Sequence, residues 1–169
     1  MPHRRFQVVP ALALPVFLIG IYTAPALADP ICTVTATVVS PSTDDNGTAA
    51  SGNRPVDVVT RHLVKVTGGT PNGSCLIQWN LELSVDGYVM THDTYPANPI
   101  SVYGTKFYDA NGEFKHNPDL SVNTTLAFGN HAFKAQSDAG VASGSSDSKN
   151  QEKNVKINNN TAPVDPGGS

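Results

Sequence analysis

Residues 75–85 decide the fold, and they read Cys75-Leu76-Ile77-Gln78-Trp79-Asn80-Leu81-Glu82-Leu83-Ser84-Val85. Apolar side chains occupy every second position from Cys75 to Val85, and mostly polar side chains fill the gaps. This alternation puts the apolar side chains on one face of a strand, whereas a helix would repeat them about every 3.6 residues. The stretch therefore predicts one long strand whose apolar face packs against a second layer.

A tight turn follows this strand. Asp86-Gly87 is a two-residue turn sequence of the kind whose backbone twist matches that of paired strands. The partner strand is predicted over residues 88–92. In that register Val85 faces Tyr88 and Leu83 faces Met90.

The rest of the chain predicts more strands and no helix. Segments with alternating or β-prone side chains lie at 32–38, 56–66, 100–109, 120–128, 131–137 and 155–157, separated by Gly, Pro, Asn and Asp. We expect residues 40–55 to form a long exposed loop and residues 139–154 a polar connection. About seven short antiparallel strands with frequent turns predict an all-β fold, specifically a β-sandwich.

The N-terminal segment has the features of an export signal. Arg4 and Arg5 precede an apolar run over residues 8–21, and Ala26-Leu27-Ala28 has the small-x-small pattern of a cleavage site. We expect cleavage between Ala28 and Asp29, a domain over 29–158 and a flexible tail over 159–169. The apolar run is short and interrupted by prolines, so we expect no membrane insertion after cleavage. The mature protein is predicted to be secreted or extracytoplasmic, in the periplasm or at the cell surface.

Charge and cysteine content narrow the classes of function. The chain has 11 basic and 14 acidic residues, and loss of Arg4 and Arg5 makes it more acidic, which disfavours nucleic acid as a partner. Cys32 and Cys75 are the two cysteines, and an oxidising compartment predicts a disulfide between them. A metal site or a reactive thiol is the alternative, but no CxxC pair or neighbouring histidine supports it.

No catalytic or metal-binding pattern stands out. His62, His92, His116 and His131 are not spaced as metal ligands, and no nucleophile motif is present. Asp44–Gly47 and Asp109–Glu113 resemble parts of calcium loops, but turns explain them better because neither run supplies enough oxygen ligands. We therefore expect no catalytic residue, no metal and no cofactor. Tyr95 and Phe114, next to loops, are a possible contact patch.

Two segments resemble bacterial immunoglobulin-like domains. They are residues 79–87, WNLELSVDG, and residues 129–140, GNHAFKAQSDAG, with Val155-Lys156-Ile157 in the position of a last strand. The resemblance covers about residues 56–158. It implies an immunoglobulin-like sandwich and a role in binding, adhesion or surface display. The antibody-type disulfide and tyrosine corner are absent from this sequence.

The sequence thus predicts a secreted, non-enzymatic immunoglobulin-like module whose partner is a protein or glycan at the cell surface. One alternative is a small secreted enzyme or metal-binding protein, with a pocket where several histidines and carboxylates converge. A second alternative is a structural surface component that self-associates, with the weak strand near 100–107 as an open edge.

Overall fold

The computed structural model describes residues 28–49, 52–97 and 102–160. Within them the chain forms ten strands and no helix, which confirms the all-β prediction. The strands are β1 (Ile31–Ser40), β2 (Asp45–Gly47), β3 (Asn53–Thr67), β4 (Ser74–Val85), β5 (Tyr88–Tyr95), β6 (Gly104–Phe107), β7 (Phe114–His116), β8 (Asp119–Ala127), β9 (Gly129–Val141) and β10 (Ser146–Asn159).

The strands form two sheets. Sheet 1 has β3 at its centre, with β1 along one side and β8 and β7 along the other. Sheet 2 has the order β2-β10-β9-β4-β5, with β6 paired to the start of β4 on the same side as β5. Sheet 2 curls into a half-barrel. The architecture is compatible with a β-sandwich, as predicted at that coarser level.

The predicted alternation of β4 is confirmed. Ile77, Leu81 and Leu83 are completely buried, and Trp79 is 4% exposed. They meet inward side chains of sheet 1 such as Val58 and Val64, which are also inaccessible to solvent. Burial of each such side chain stabilises the folded state by about 1.5–3 kcal/mol relative to an exposed position. The apolar face of β4 therefore packs in the interior.

The β4–β5 turn is also confirmed, but its register differs by a bulge. Asp86 and Gly87 have φ values of 51° and 84°, as a tight hairpin turn requires. Val85 lies opposite Tyr88, whereas Leu83 lies opposite Thr91 rather than the predicted Met90. The register shifts between Leu83 and Ser84, because an extra residue on β5 is accommodated there.

The strand count and two loop predictions were wrong. Ten strands replace the expected seven, and β2 lies inside the expected loop of residues 40–55. The polar segment 139–154 is largely strand, because β9 continues to Val141 and β10 starts at Ser146. Both strands pair along their whole length, so backbone hydrogen bonds hold a segment that lacks an apolar pattern.

Candidate functional site

The two cysteines lie in the core, on facing sheets. Cys32 belongs to β1 of sheet 1 and is 3% exposed, while Cys75 belongs to β4 of sheet 2 and is 1% exposed. Both are free thiols and their sulfurs are not at bonding distance. The structure therefore differs from the predicted disulfide. The side chain of Cys75 instead hydrogen-bonds with that of Tyr108.

The environment of these thiols keeps them protonated. Burial, followed by the charges of Asp147 and Cys75, raises the pKa of Cys32 to about 11. Burial also raises the pKa of Cys75, although its hydrogen bond with Tyr108 acts in the opposite direction. The thiolate is the nucleophile and the metal ligand, so neither cysteine is poised for either role at neutral pH.

The predicted contact residues Tyr95 and Phe114 lie beside Trp79. The ring of Tyr95 stacks on that of Trp79 with centroids 4.6 Å apart, and the Phe114 ring lies 5.9 Å from Trp79. Both side chains are half-buried. The Lys106 ammonium group lies 4.1 Å from the centre of the Tyr95 ring, a cation–π contact. These two residues serve the packing of the sandwich, and their role as a contact patch stays a prediction.

Two histidines pair with aspartates. His131 Nδ1 lies 2.7 Å from Asp86 Oδ2 and His131 Nε2 lies 2.9 Å from the carbonyl oxygen of Ala127, so both ring nitrogens can donate. Partial burial lowers the pKa of His131, but the bonds to Asp86 and Ala127 outweigh it and the net shift is upward. His116 Nε2 lies 2.6 Å from Asp93 Oδ2 and thereby joins β7 to β5 across the two sheets.

His62 is completely buried between two hydroxyl groups. Its Nε2 lies 2.8 Å from Thr60 Oγ1, and its Nδ1 lies 2.8 Å from Ser137 Oγ. The hydroxyl of Ser137 donates to the carbonyl oxygen of Thr35, so it accepts from His62 Nδ1–H. This direction leaves the serine proton on the side away from the imidazole. Burial lowers the pKa of His62, and the arrangement is a neutral structural network rather than an activated nucleophile.

A concave surface lies on the outer face of sheet 2, opposite the core. We call it the outer groove. It has a volume of about 610 Å³ and is lined by Gln78, Trp79, Asn80, Tyr103, Asp138, Ala139, Gly140, Ser146, Asp147 and Ser148. This volume lies in the range of small-molecule sites. No histidine, cysteine, lysine or arginine is among the described residues that line it.

The groove is built from rows of residues that face one another across three strands. Gln78 of β4, Gly140 of β9 and Ser146 of β10 form one row. Asn80, Asp138 and Ser148 form the next row. A third row continues the polar face beyond the groove with Glu82, Gln136 and Asn150.

Hydrogen bonds hold several of these side chains in place. The amide of Asn80 donates to Glu82 Oε1 over 2.6 Å and accepts from Thr94 Oγ1 over 2.8 Å. Gln136 Nε2 donates to Asp138 Oδ2 over 2.8 Å. The groove thus presents oriented amide and carboxylate groups on rigid strands rather than on loops.

Gly140, in the middle strand of the groove, has no side chain of its own. A Cβ atom at Gly140 would lie 3.4 Å from Ser146 Cβ and 3.6 Å from the Tyr103 hydroxyl oxygen, which are ordinary contacts. Tyr103 therefore reaches over Gly140 from the segment before β6. The side-chain oxygen of Gln78, in the same row, is shielded from solvent and has no hydrogen-bond partner within the described part of the chain. Such an oxygen is uncommon in folded proteins.

Other kinds of site find no support in the described ranges. No group of three or more His, Cys, Asp or Glu side chains that could hold a metal ion occurs within residues 28–49, 52–97 and 102–160. The same residues include no helix long and apolar enough to cross a membrane. Asp109 accepts the backbone N–H groups of Asn111 and Glu113, as expected of a turn. The predicted export signal lies mainly in residues 1–27, outside the described ranges, so both the signal and its cleavage stay predictions.

Sequence reasoning missed the outer groove. Its β4 residues, Gln78 and Asn80, are the polar half of the alternation that defines the strand, and the same pattern occurs on any half-exposed strand. Their neighbours Asp138 and Gly140 lie about 60 residues further along the chain. Only strand pairing brings the two sets together.

Comparisons with known proteins assign no family. No family model matches the chain, and no curated protein matches it. Among solved structures, the putative ApaA protein from Bordetella pertussis is 12% identical, covers 76% of this chain and 94% of its own, and has a TM-score of 0.31. A target of the Northeast Structural Genomics Consortium is 7% identical, covers 83% of this chain and 96% of its own, and has a TM-score of 0.30. Neither likeness is strong enough to support a conclusion about function.

Proposed function

We propose that this protein is an exported, non-enzymatic binding module, displayed at the cell envelope or released from it. The observation that carries the proposal is the outer groove: a concave surface built mainly on paired strands, with polar side chains and with no histidine, cysteine or lysine among the described residues that line it. Such a surface suits recognition, since catalysis needs an activated acid, base or nucleophile near the ligand.

The placement of the four histidines supports this proposal over an enzyme. His62 is buried in a hydroxyl network, and His116 and His131 each pair with an aspartate. His92 lies on the exposed face of β5. None of the four lines the outer groove. The alternative, a loop-built catalytic site, would need several histidines and carboxylates to converge in one pocket.

The finer assignment, an immunoglobulin-like sandwich, is also part of the proposal. One contact supports it. Asp86 of the first resembling segment accepts hydrogen bonds from the side chain of His131 and the backbone N–H of Ala132, both in the second segment. The two motifs that carry the resemblance are therefore one structural unit that joins the β4–β5 turn to β9.

An activity screen tests the proposal. Purified protein comprising residues 29–169 is assayed against ester, glycoside, phosphate and peptide substrates, and its metal content is measured in parallel. We expect no turnover above the blank and no stoichiometric metal. Turnover that depends on a stoichiometric metal would contradict a non-enzymatic role.

A disulfide between Cys32 and Cys75 remains a proposal for the exported protein. It is supported by the position of the two buried thiols, one on each of the two facing sheets of the core. Oxidation would join sheet 1 to sheet 2 and constrain the unfolded chain, an effect of typically about 2–4 kcal/mol. Thiol counting on the denatured protein, before and after reduction, checks it: zero and then two reactive thiols are expected.

A self-associating surface component is the second candidate function. The observation that favours it is a set of exposed apolar side chains on this side of sheet 2: Tyr88 (76%) and Val89 (52%) at the start of β5, and Phe107 (69%) at the end of β6. Such a strand edge can pair with a second copy. Sedimentation over a wide concentration range tests it, with Val89→Lys as the variant that should weaken association. A wild-type monomer at every concentration would remove this candidate.

A further inference from the structure

We propose that the outer groove binds a neutral carbohydrate chain. The inference rests on the proposed binding function and names the ligand class for that site. It follows from three properties of the groove: its polar side chains, the absence of cationic side chains among the described residues that line it, and the position of Tyr103 beside Gly140.

The lining selects a ligand rich in hydroxyl groups. Asn80 and Gln78 contribute amides, Ser146 and Ser148 contribute hydroxyls, and Asp138 contributes a carboxylate. Amides and hydroxyls both donate and accept, and a carboxylate accepts. A sugar hydroxyl also donates and accepts, so these groups match it in both directions. A lipid or an apolar peptide would leave them unpaired, which is costly.

The charge of the groove argues against anionic ligands. The described residues that line it include no lysine, arginine or histidine, so a phosphate or carboxylate would meet no counter-charge from them. Asp147 is already occupied, since it accepts the backbone N–H of Val34 and pairs with Lys149. Asp138 is thus the carboxylate left facing the groove, with one oxygen bonded to Gln136. One carboxylate among neutral groups favours an uncharged ligand over a polycation.

The glycine at position 140 lets the Tyr103 hydroxyl approach the strands, which places an aromatic ring at the groove. Gly140 has no side chain between Gln78 and Ser146, and the Tyr103 ring lies close by, 38% exposed. Aromatic rings pack against the apolar C–H faces of sugars. A sugar ring beside Gly140 would contact Tyr103 on one side and the Ser146 hydroxyl on the other. This arrangement combines a flat apolar contact with directed hydrogen bonds, as in other small-molecule sites.

Titration with defined sugars tests the inference. The probes are neutral hexasaccharides of glucose, N-acetylglucosamine and xylose, with a heparin fragment and oligolysine as the anionic and cationic comparisons. Calorimetry of residues 29–169 is expected to show saturable binding of at least one neutral probe. NMR shift changes are expected at Asn80, Asp138 and Gly140.

Substitution of the glycine locates the site. Gly140→Leu fills the row and is expected to weaken neutral-sugar binding at least tenfold, and Asn80→Ala is expected to weaken it severalfold. Gly140→Ala adds only ordinary contacts and is the second variant if Gly140→Leu does not fold. Gly52→Ala is the matched control, because a Cβ there meets nothing within 4 Å, and it is expected to bind as wild type.

The outcomes separate the inference from the proposed function. No binding of any neutral probe, or binding unchanged in Gly140→Leu, overturns the carbohydrate inference. Binding of oligolysine alone, lost in Gly140→Leu, also overturns it but leaves a binding module. Metal-dependent turnover of a bound sugar would keep the ligand class and contradict the non-enzymatic proposal.

Discussion

The two sheets end in edge strands of opposite character. β1 is the outer strand of sheet 1, and β5 is the outer strand of sheet 2 next to β4. An edge strand exposes unpaired backbone groups that can recruit another chain. In this protein the β1 edge is closed by side chains of the opposite sheet, whereas the β5 edge carries exposed apolar residues.

The closure of β1 uses side chains from β10 and the turn before it. Ser145 Oγ accepts the backbone N–H of Cys32 over 2.8 Å, Asp147 Oδ2 accepts that of Val34 over 3.0 Å, and Gln151 Oε1 accepts that of Val38 over 2.7 Å. From β9, the Ser137 hydroxyl donates to the carbonyl oxygen of Thr35. These side-chain contacts join the two sheets at β1, although β1 and β10 do not pair through backbone hydrogen bonds.

Among the described residues, the start of the β5 edge has no equivalent covering, although Asp93 further along the strand pairs with His116 of sheet 1. β5 pairs with β4 alone within the described ranges. Its first three residues, Tyr88, Val89 and Met90, are 76%, 52% and 39% exposed. The two edges therefore differ: backbone groups of β1 bond to side chains within the molecule, whereas the start of β5 carries exposed apolar side chains.

Removal of the buried histidine should have the largest effect on the closed side. His62→Ala takes away the partner of Ser137 beneath β1 and leaves Thr60 Oγ1 without its bond, so we expect a loss of about 3 kcal/mol in the free energy of unfolding. Urea denaturation measures it. His92→Ala on the exposed face of β5 is the control and should change stability by less than about 0.5 kcal/mol. Equal losses of stability in His62→Ala and His92→Ala would contradict the difference between the β1 and β5 sides of the molecule.

The pH dependence of the free energy of unfolding should reflect the titration of two histidines, the buried His62 and the Asp86-paired His131. The pKa of His62 is lowered in the folded state, so below about pH 6.5 the unfolded chain binds a proton that the folded chain does not. Its stabilising contribution is complete above that pH and falls as the pH drops, by at most about 1.4 kcal/mol per unit. The raised pKa of His131 acts oppositely: its contribution is present below about pH 6.5 and is lost as the pH rises through the folded pKa.

Denaturation between pH 5 and 8 separates the two histidines. His62→Gln should flatten the acid side of the profile, and His131→Gln should flatten the alkaline side. An acid side that is unchanged in His62→Gln would show that the buried network is not the source of the acid dependence.

Removal of one cap on the β1 edge should have the smallest effect. Gln151→Ala leaves the backbone N–H of Val38 without its acceptor, and we expect a loss of about 1 kcal/mol and faster hydrogen exchange at Val38. Gln136→Ala, on the outer face of the same sheet, is the matched control and should stay within about 0.5 kcal/mol. Val38 exchange that is equally slow in both variants would argue that the Gln151 contact does not close the edge.

The sequence predicted the structure well where the alternation of apolar and polar residues within one strand was sufficient to identify it. The alternation over 75–85 and the Asp86-Gly87 turn were sufficient to place β4, its buried face and the start of β5. The prediction failed at the bulge after Leu83 and in residues 139–154. In both places backbone pairing with a neighbouring strand, rather than side-chain pattern, determines the structure.

The candidate site was much harder to predict. The side chains that line the outer groove are ordinary polar residues of half-exposed strands, and nothing in the order of Gln78, Asn80, Asp138 and Gly140 signals a shared surface. The expected disulfide depended on compartment and cysteine count, which do not specify the distance between two sulfurs.

The sequence by itself determined that the chain is all-β and which face of β4 is buried, because the period of two is a local property of the backbone. The tertiary structure decided which strands are neighbours, and therefore which edge is capped and which polar side chains share a groove. These features depend on pairs of residues far apart in the chain, such as Gln151 with Val38 and Gln78 with Gly140. Such pairs meet only when the two sheets have folded against each other.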